Sequence, residues 1–209
     1  TVISPSDDTQ TKWVIQEISK IDGPVYLRLC RLASPVIYDE TTKFEIGKGV
    51  KLADGKDITI IATGIMVEAA LEAKKILAED GIEVGVINIH TLKPIDKDII
   101  INAAKETGAI VTAEEHSIIG GLGSAVMEVV SENYPVPVLR VGVKDVFGES
   151  GKPQELLEKY GLTAKDIANK VKEIGVKTEE YKEKTSIKNP IKDEQITFKF
   201  VDTITTNTI

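Results

Sequence analysis

The residues best suited to chemistry lie in one stretch, residues 113–126, which holds one of the two histidines, a pair of glutamates and three of the sixteen glycines. An apolar run at 109–112 leads into it, and another at 126–130 leads out. The pattern predicts a strand, a glycine-rich turn and a helix, which together present backbone N–H groups at the start of the helix. The stretch could therefore serve acid–base catalysis, nucleotide binding or close packing of the helix against the strand.

Nucleotide binding is one interpretation of the glycines. The glycines at 121 and 123 match the first two of a dinucleotide motif, and Asp145 follows about 20 residues later, where a ribose-binding acid would lie. The third position is Val126, however, and the turn follows a late strand of the domain and not its first. We therefore favour close packing or an interface, with these interface candidates: Gly120, Gly121 and Gly123.

His116 is the second candidate for chemistry. Alternation along the strand end points it to the same side as Glu114, so the two could form an acid–base pair or a structural hydrogen bond. No nucleophile has a motif nearby, so we predict no catalytic residue and group His116 with the interface candidates. His90 and His116 show no ligand spacing and predict no metal site. Cys30 lies in an apolar strand, where thiols are usually inert.

Arg31 ends the predicted strand 25–30 and precedes a proline-containing loop. Ligands of α/β folds bind at the carboxyl ends of strands, and a guanidinium there can bind a phosphate through two hydrogen bonds. The same side chain could instead form a surface salt bridge with one of the many carboxylates. The residues alone leave both interpretations open.

The elements that must position these residues alternate between strand and helix, which predicts an α/β fold. We predict a three-layer α/β/α domain with a five-stranded, mostly parallel sheet over residues 44–143. Its one antiparallel member is the strand near 44–52, which Asp54-Gly55 would join to the next strand as a hairpin. A βαβ unit, interpreted as the remnant of another domain, precedes the sheet.

The predicted domain boundaries follow the composition. Residues 1–35 form the remnant, 36–43 a linker and 44–175 the complete domain. The tail, 176–209, is rich in Lys, Glu and Thr, has a possible strand near 196–200 and has no predicted role. The chain begins with Thr1 and not with Met, so we expect a piece of a longer protein.

Composition excludes several classes of protein. The formal charge of −7 over 209 residues argues against nucleic acid as a partner. No apolar run approaches the ~18 residues of a membrane helix, and no signal-peptide pattern opens the chain. The single cysteine excludes a disulfide framework, so a reducing cytoplasm is the expected location.

Three motifs together resemble the carboxy-terminal section of transketolase, in particular the split kind that is made as two subunits. They are residues 23–31, Glu114-Glu115-His116 with 120–126, and 141–151, in the order of the family. The resemblance covers roughly residues 1–174. It implies that residues 1–35 end a pyrimidine-binding domain and that 44–175 form the family's third domain.

The resemblance implies a thiamine-diphosphate enzyme that uses a divalent metal and moves a two-carbon ketol unit between sugar phosphates. The family builds the cofactor site from two upstream domains, so we expect this chain alone to bind neither cofactor nor metal and to be inactive. Its partners would be the missing N-terminal domains or subunit and a second copy, in a homodimer. Arg31 aligns with a family arginine that binds the substrate phosphate.

The alternatives come from two classes. The glycine motif alone would also fit deoxyxylulose-phosphate synthase or a 2-oxo acid dehydrogenase beta subunit, although the stretch 147–151 disfavours the synthase. A non-catalytic assembly module is the alternative from another class, because a third domain of this type could serve purely for dimerisation.

Overall fold

The computed structural model describes residues 1–31 and 33–186, and for 176–186 the backbone alone. The possible strand near 196–200 therefore lies outside the described residues. Within the described part, none of the helices combines the length and the apolar character that crossing a membrane requires.

The chain opens with a βαβ unit made of β1 (Val2–Ile3), α1 (Asp8–Ile18) and β2 (Tyr26–Leu27), with the two strands parallel. The second strand is shorter than the predicted 25–30, because its partner β1 ends at Ile3. The last bond between the two strands runs from the Arg28 N–H to the Ile3 carbonyl, at 2.8 Å. That this unit is the remnant of another domain stays a prediction.

Six further strands and five further helices follow among the described residues. In chain order they are β3 (Val50–Ala53), β4 (Ile58–Ala62), α2 (Met66–Glu79), β5 (Val84–Asn88), β6 (Thr91–Lys93), α3 (Lys97–Thr107), β7 (Ile110–Ser117), α4 (Leu122–Asn133), β8 (Val138–Val143), α5 (Pro153–Lys159) and α6 (Ala164–Ser186). All of these strands except β6 form the main sheet, in the spatial order β3-β5-β4-β7-β8. Only β3 runs antiparallel, so the predicted five-stranded sheet is confirmed.

The predicted hairpin is wrong. β3 pairs with β5 and not with β4, so the connection from β3 to β4 crosses the start of β5. Gly55 permits this crossing, since a Cβ there would lie 2.0 Å from the backbone nitrogen of Gly85. The strand also begins at Val50 and not at 44, because the Phe44 ring packs against Trp13, with 5.3 Å between ring centroids.

Helices cover both faces of the sheet, which confirms the three-layer arrangement. α2 and α6 lie over one apolar core, and α3 and α4 lie over the other. Asp96 caps α3 by accepting a hydrogen bond from the Ile99 N–H at 3.3 Å, and Gly108 ends that helix with a φ of +69°. Thr163 and Asp166 cap each other's backbone N–H groups at the start of α6.

A junction that the sequence did not predict joins the βαβ unit to the main domain. β6 pairs antiparallel with β1, so β2, β1 and β6 form a small second sheet. Beside it, the Asn88 amide donates to the Tyr38 hydroxyl at 2.8 Å and to Oε1 of Gln10 at 3.1 Å. The Asp7 carboxylate accepts from the N–H groups of Ile37 and Tyr38, which holds part of the predicted linker against α1.

Candidate functional site

The glycine turn, residues 120–123, lies between β7 and α4 and is filled by a carboxylate of the chain itself. Glu114 is fully buried and accepts hydrogen bonds from the backbone N–H groups of Leu122 at 2.6 Å and Gly123 at 2.9 Å. The positive end of the helix dipole favours an anion at this position. Glu114 therefore occupies the place that a nucleotide phosphate would take.

Two of the glycines are needed for this packing. A Cβ at Gly121 would lie 2.0 Å from Oε2 of Glu114, and a Cβ at Gly123 would lie 2.6 Å from Cδ of Arg140. Arg140 donates to the carbonyl of Ile118 at 2.7 Å and so ties β8 to the segment before the turn. This geometry favours close packing over dinucleotide binding.

His116 lies on the same side of β7 as Glu114, as the strand alternation predicts. Its Nδ1 is 2.9 Å from Oε2 of Glu114. A carboxylate that already accepts two backbone N–H groups has only acceptor atoms to offer, so Nδ1 carries the hydrogen and donates it. His116 is 25% exposed and Ile119, beside the exposed Gly120, is 62% exposed. The role of this surface as an interface stays a prediction.

An ion pair that sequence reasoning missed connects the βαβ unit to the main sheet. Arg28, directly after β2, donates to the Glu115 carboxylate at 3.2 Å and to the Glu115 carbonyl at 3.3 Å. Both side chains are little more than a quarter exposed. The doubled acid at 114–115 was a visible signal, but only the fold shows that its two members face different partners.

Arg31 lies on a groove of about 630 Å³ that is lined by the segment after β2, by β7, by the end of β8 and the segment that follows it, and by α5. We call it the Arg31 groove, and its lining includes Cys30, Arg31, Glu115, Glu149 and Tyr160. Cys30 lies beyond the end of β2 and is half-buried, so its predicted place inside a strand is wrong. The cause is again the early end of β1.

The charged side chains of the Arg31 groove differ in whether they have an ion-pair partner among the described residues. Glu115 is paired with Arg28, and Glu149 is paired with Lys159 at 2.6 Å. Arg31 is exposed, and among the carboxylates that the structure describes none lies within ion-pair distance of it. The surface-salt-bridge interpretation therefore has no partner within residues 1–31 and 33–175, whose side chains the structure describes. The geometry leaves this guanidinium available to an anionic ligand.

The second histidine, His90, lies in the interior of the protein. The His90 side chain is fully buried, its ring lies against Trp13, and burial lowers its pKa to about 4, so it is neutral near pH 7. No group of three or more His, Cys, Asp or Glu in the described part of the chain is arranged so that it could hold a metal ion.

Comparison with known proteins identifies the domain that carries the glycine turn. Residues 47–167 match the family "Transketolase, C-terminal domain". The chain belongs to this family.

Among its relatives, a 6-deoxy-6-sulfo-D-fructose transketolase subunit from Clostridium sp. (strain MSTE9) is 49% identical over 83% of this chain and 54% of its own length. A 1-deoxy-D-xylulose-5-phosphate synthase from Heliobacterium modesticaldum (strain ATCC 51547 / Ice1) is 37% identical over 83% of this chain and 27% of its own length. A solved structure described as "Split gene transketolase, inactive beta4 tetramer" is 52% identical, with a TM-score of 0.81 over 84% of this chain and 57% of that one.

Two conclusions follow from these comparisons. The three-layer fold and the resemblance to the carboxy-terminal section of split transketolases are confirmed. The chain spans about half the length of the split relatives that it matches. The synthase is a family relative that shares the domain within a longer protein.

Proposed function

We propose that this chain is the carboxy-terminal portion of a thiamine-diphosphate-dependent transketolase that moves a two-carbon ketol unit between sugar phosphates in the cytoplasm. In this proposal the chain contributes Arg31 to substrate binding and a surface to assembly. The missing N-terminal domains or subunit supply the cofactor site. The chain alone has no catalytic residue and is inactive.

The observation that carries the proposal is the exposed guanidinium of Arg31 in the Arg31 groove. The two carboxylates of the groove, Glu115 and Glu149, already have cationic partners, so Arg31 can bind the anionic end of a sugar. Guanidinium groups bind phosphate through two parallel hydrogen bonds. The anion is a phosphate or a sulfonate, since one relative is named for a sulfo-sugar.

The residues that the structure describes do not fit the cofactor itself. A diphosphate at a helix N-terminus would need the N–H groups that Glu114 already binds at α4. The described residues also offer no cluster of donors for a divalent metal. We therefore place thiamine diphosphate and its metal in the missing domains and assign no step of the reaction to them here.

Reconstitution tests this proposal. The chain is assayed for ketol transfer alone and after addition of the N-terminal section, with thiamine diphosphate and Mg²⁺ present in both cases. Activity that requires both pieces is the expected result. Parallel assays with a sugar phosphate and a 6-sulfo sugar identify which anion is used. Turnover by the isolated chain, or none by the assembled pair with either sugar, would contradict the proposal.

Assembly is a second candidate role, favoured by the solved relative that is described as an inactive beta4 tetramer. We propose that the surface formed by His116, Ile119 and Gly120 contacts another copy, giving a homodimer. Analytical ultracentrifugation of Ile119→Glu should show weaker association than the wild type. Tyr134→Glu is the matched control, because Tyr134 is exposed at the opposite end of α4. Equal association of all three proteins would place the interface elsewhere.

A further inference from the structure

We propose that Arg28 is a positioning residue for anion binding: by neutralising Glu115 it prevents this carboxylate from pairing with Arg31. The inference rests on the proposed function, in which Arg31 binds the anionic end of the substrate. It adds a residue to the site whose part is electrostatic and which need not touch the substrate.

The side chains of Arg28, Arg31 and Glu115 lie in one region of the protein. Glu115 and Arg31 both line the Arg31 groove, and Arg28, which is not among the lining residues, donates to Oε2 of Glu115 at 3.2 Å. Arg28 is also fixed by its backbone, because its N–H bonds the Ile3 carbonyl at 2.8 Å. The guanidinium of Arg28 is therefore bound to the wall of the groove, while that of Arg31 is exposed at the surface of the groove.

Without Arg28, the groove would carry an unpaired negative charge on Glu115. Glu115 is only 27% exposed, so water screens its charge less than at an open surface. Without a partner, this carboxylate would attract Arg31, the other cation on the same groove, or repel an incoming phosphate. Either effect lowers the affinity for an anion. The pair of Glu149 with Lys159 follows the same logic at the second carboxylate of the groove.

An electrostatic role of Arg28 and a purely structural role predict different results for a double variant. If Arg28 only fixed the chain that leads to Arg31, a variant that lacks both Arg28 and the Glu115 carboxylate would bind as weakly as one that lacks Arg28 alone, because the guanidinium that makes the contacts is absent from both. If Arg28 acts by neutralising Glu115, removing the carboxylate as well should restore binding. The double variant therefore decides between the two explanations.

The test is a titration of the full chain with inorganic phosphate, compared with a sodium chloride titration of equal ionic strength. Binding is followed by the backbone amide NMR signals of the residues that line the Arg31 groove, a readout that every variant keeps. Arg28→Gln should weaken phosphate binding by about two- to fivefold, the effect of one partly exposed charge pair. Arg28→Gln combined with Glu115→Gln should return the affinity to within about twofold of the wild type. Arg28→Lys, which keeps the charge, should also bind nearly as the wild type does.

Two control variants separate a specific effect at the groove from a general effect of changing the charge of the protein. Lys172→Gln removes one charge from a pair with Asp80 that is not part of the groove lining and should leave phosphate binding unchanged. Arg31→Ala should abolish the specific response; if phosphate still binds equally, or if the wild type never responds, the proposed role of Arg31 fails and this inference with it. If Arg31→Ala weakens binding but the double variant stays as weak as Arg28→Gln, only the inference about Arg28 is overturned.

Discussion

The carboxylate of Glu114 occupies the space that a side chain on residue 121 would need, and residue 121 is glycine. A Cβ on Gly121 would lie 2.0 Å from Oε2 of Glu114, which accepts a hydrogen bond from the next residue along, Leu122. The glycine turn is thus an anion site, and the anion in it is the carboxylate of Glu114, a residue of the preceding strand β7. The contact fixes α4 against β7, and with it the segment that carries His116.

Gly121→Ala should destabilise the fold. The φ of Gly121 is −99°, which any residue adopts, so the cost comes from the clash with a buried carboxylate and not from the backbone. We expect a loss of about 1–3 kcal/mol in the free energy of unfolding, measured by urea denaturation. Gly148→Ala is the matched control, since a Cβ there meets nothing within 4 Å. Equal stability of both variants would show that Glu114 can move aside.

Glu114→Ala should leave the backbone N–H groups of Leu122 and Gly123 buried without an acceptor. Each such group costs roughly 1–3 kcal/mol, so the melting temperature should fall. Formate fits the space of the lost carboxylate, and adding it should raise the melting temperature of the variant more than sodium chloride of equal ionic strength does. The wild type should show no such difference. A variant that responds equally to both salts would contradict this account of the turn.

The sequence sufficed for most of the fold because its periodicity reports which faces are buried. The alternation of strands and helices follows from local patterns, and the antiparallel direction of the first strand was predicted from the short Asp54-Gly55 connection. The pairing of that strand, β3, with β5 does not follow from a local pattern. Asp54-Gly55 looks like a hairpin turn, but Gly55 serves the close passage of one backbone over another at Gly85, a contact between residues far apart in the chain.

The site was predictable in parts for the same reason. Strand alternation places His116 beside Glu114, and the position of Arg31 after a strand suggests a ligand. The partners of these residues come from distant segments. The bond from Arg28 to Glu115 spans 87 positions of the chain. Whether Arg31 is paired therefore depends on contacts that no local pattern records.

The stability of the chain should fall between about pH 6.5 and about pH 4 through His90. Burial lowers the pKa of His90 from 6.5 to about 4, so in this window the unfolded state binds a proton that the native state does not. The stability is fully present above 6.5 and decreases as the pH falls. Between about pH 7 and about pH 5 the loss from this residue should be roughly 2 kcal/mol.

Unfolding of the wild type and of His90→Phe at the two pH values checks this expectation. Phe keeps an aromatic ring against Trp13 and Phe44 but cannot titrate. The comparison uses the change with pH, so a constant loss from altered packing cancels, as do the contributions of other groups. The variant should lose less stability on acidification than the wild type. Parallel pH profiles would mean that His90 is protonated in the native state as easily as in the unfolded one.

Arg31→Ala should separate two classes of substrate in the enzyme assembled with its N-terminal section. A charge-assisted hydrogen bond is worth roughly 1.5–3 kcal/mol, so the KM for phosphorylated sugars should rise by about 10- to 150-fold. Hydroxypyruvate carries no phosphate, so its KM should hardly change. Arg31→Lys should restore part of the loss, because a single ammonium cannot make the two-pronged contact. Equal weakening of both classes would mean that Arg31 holds structure, and no weakening of either would refute its role in binding the anion.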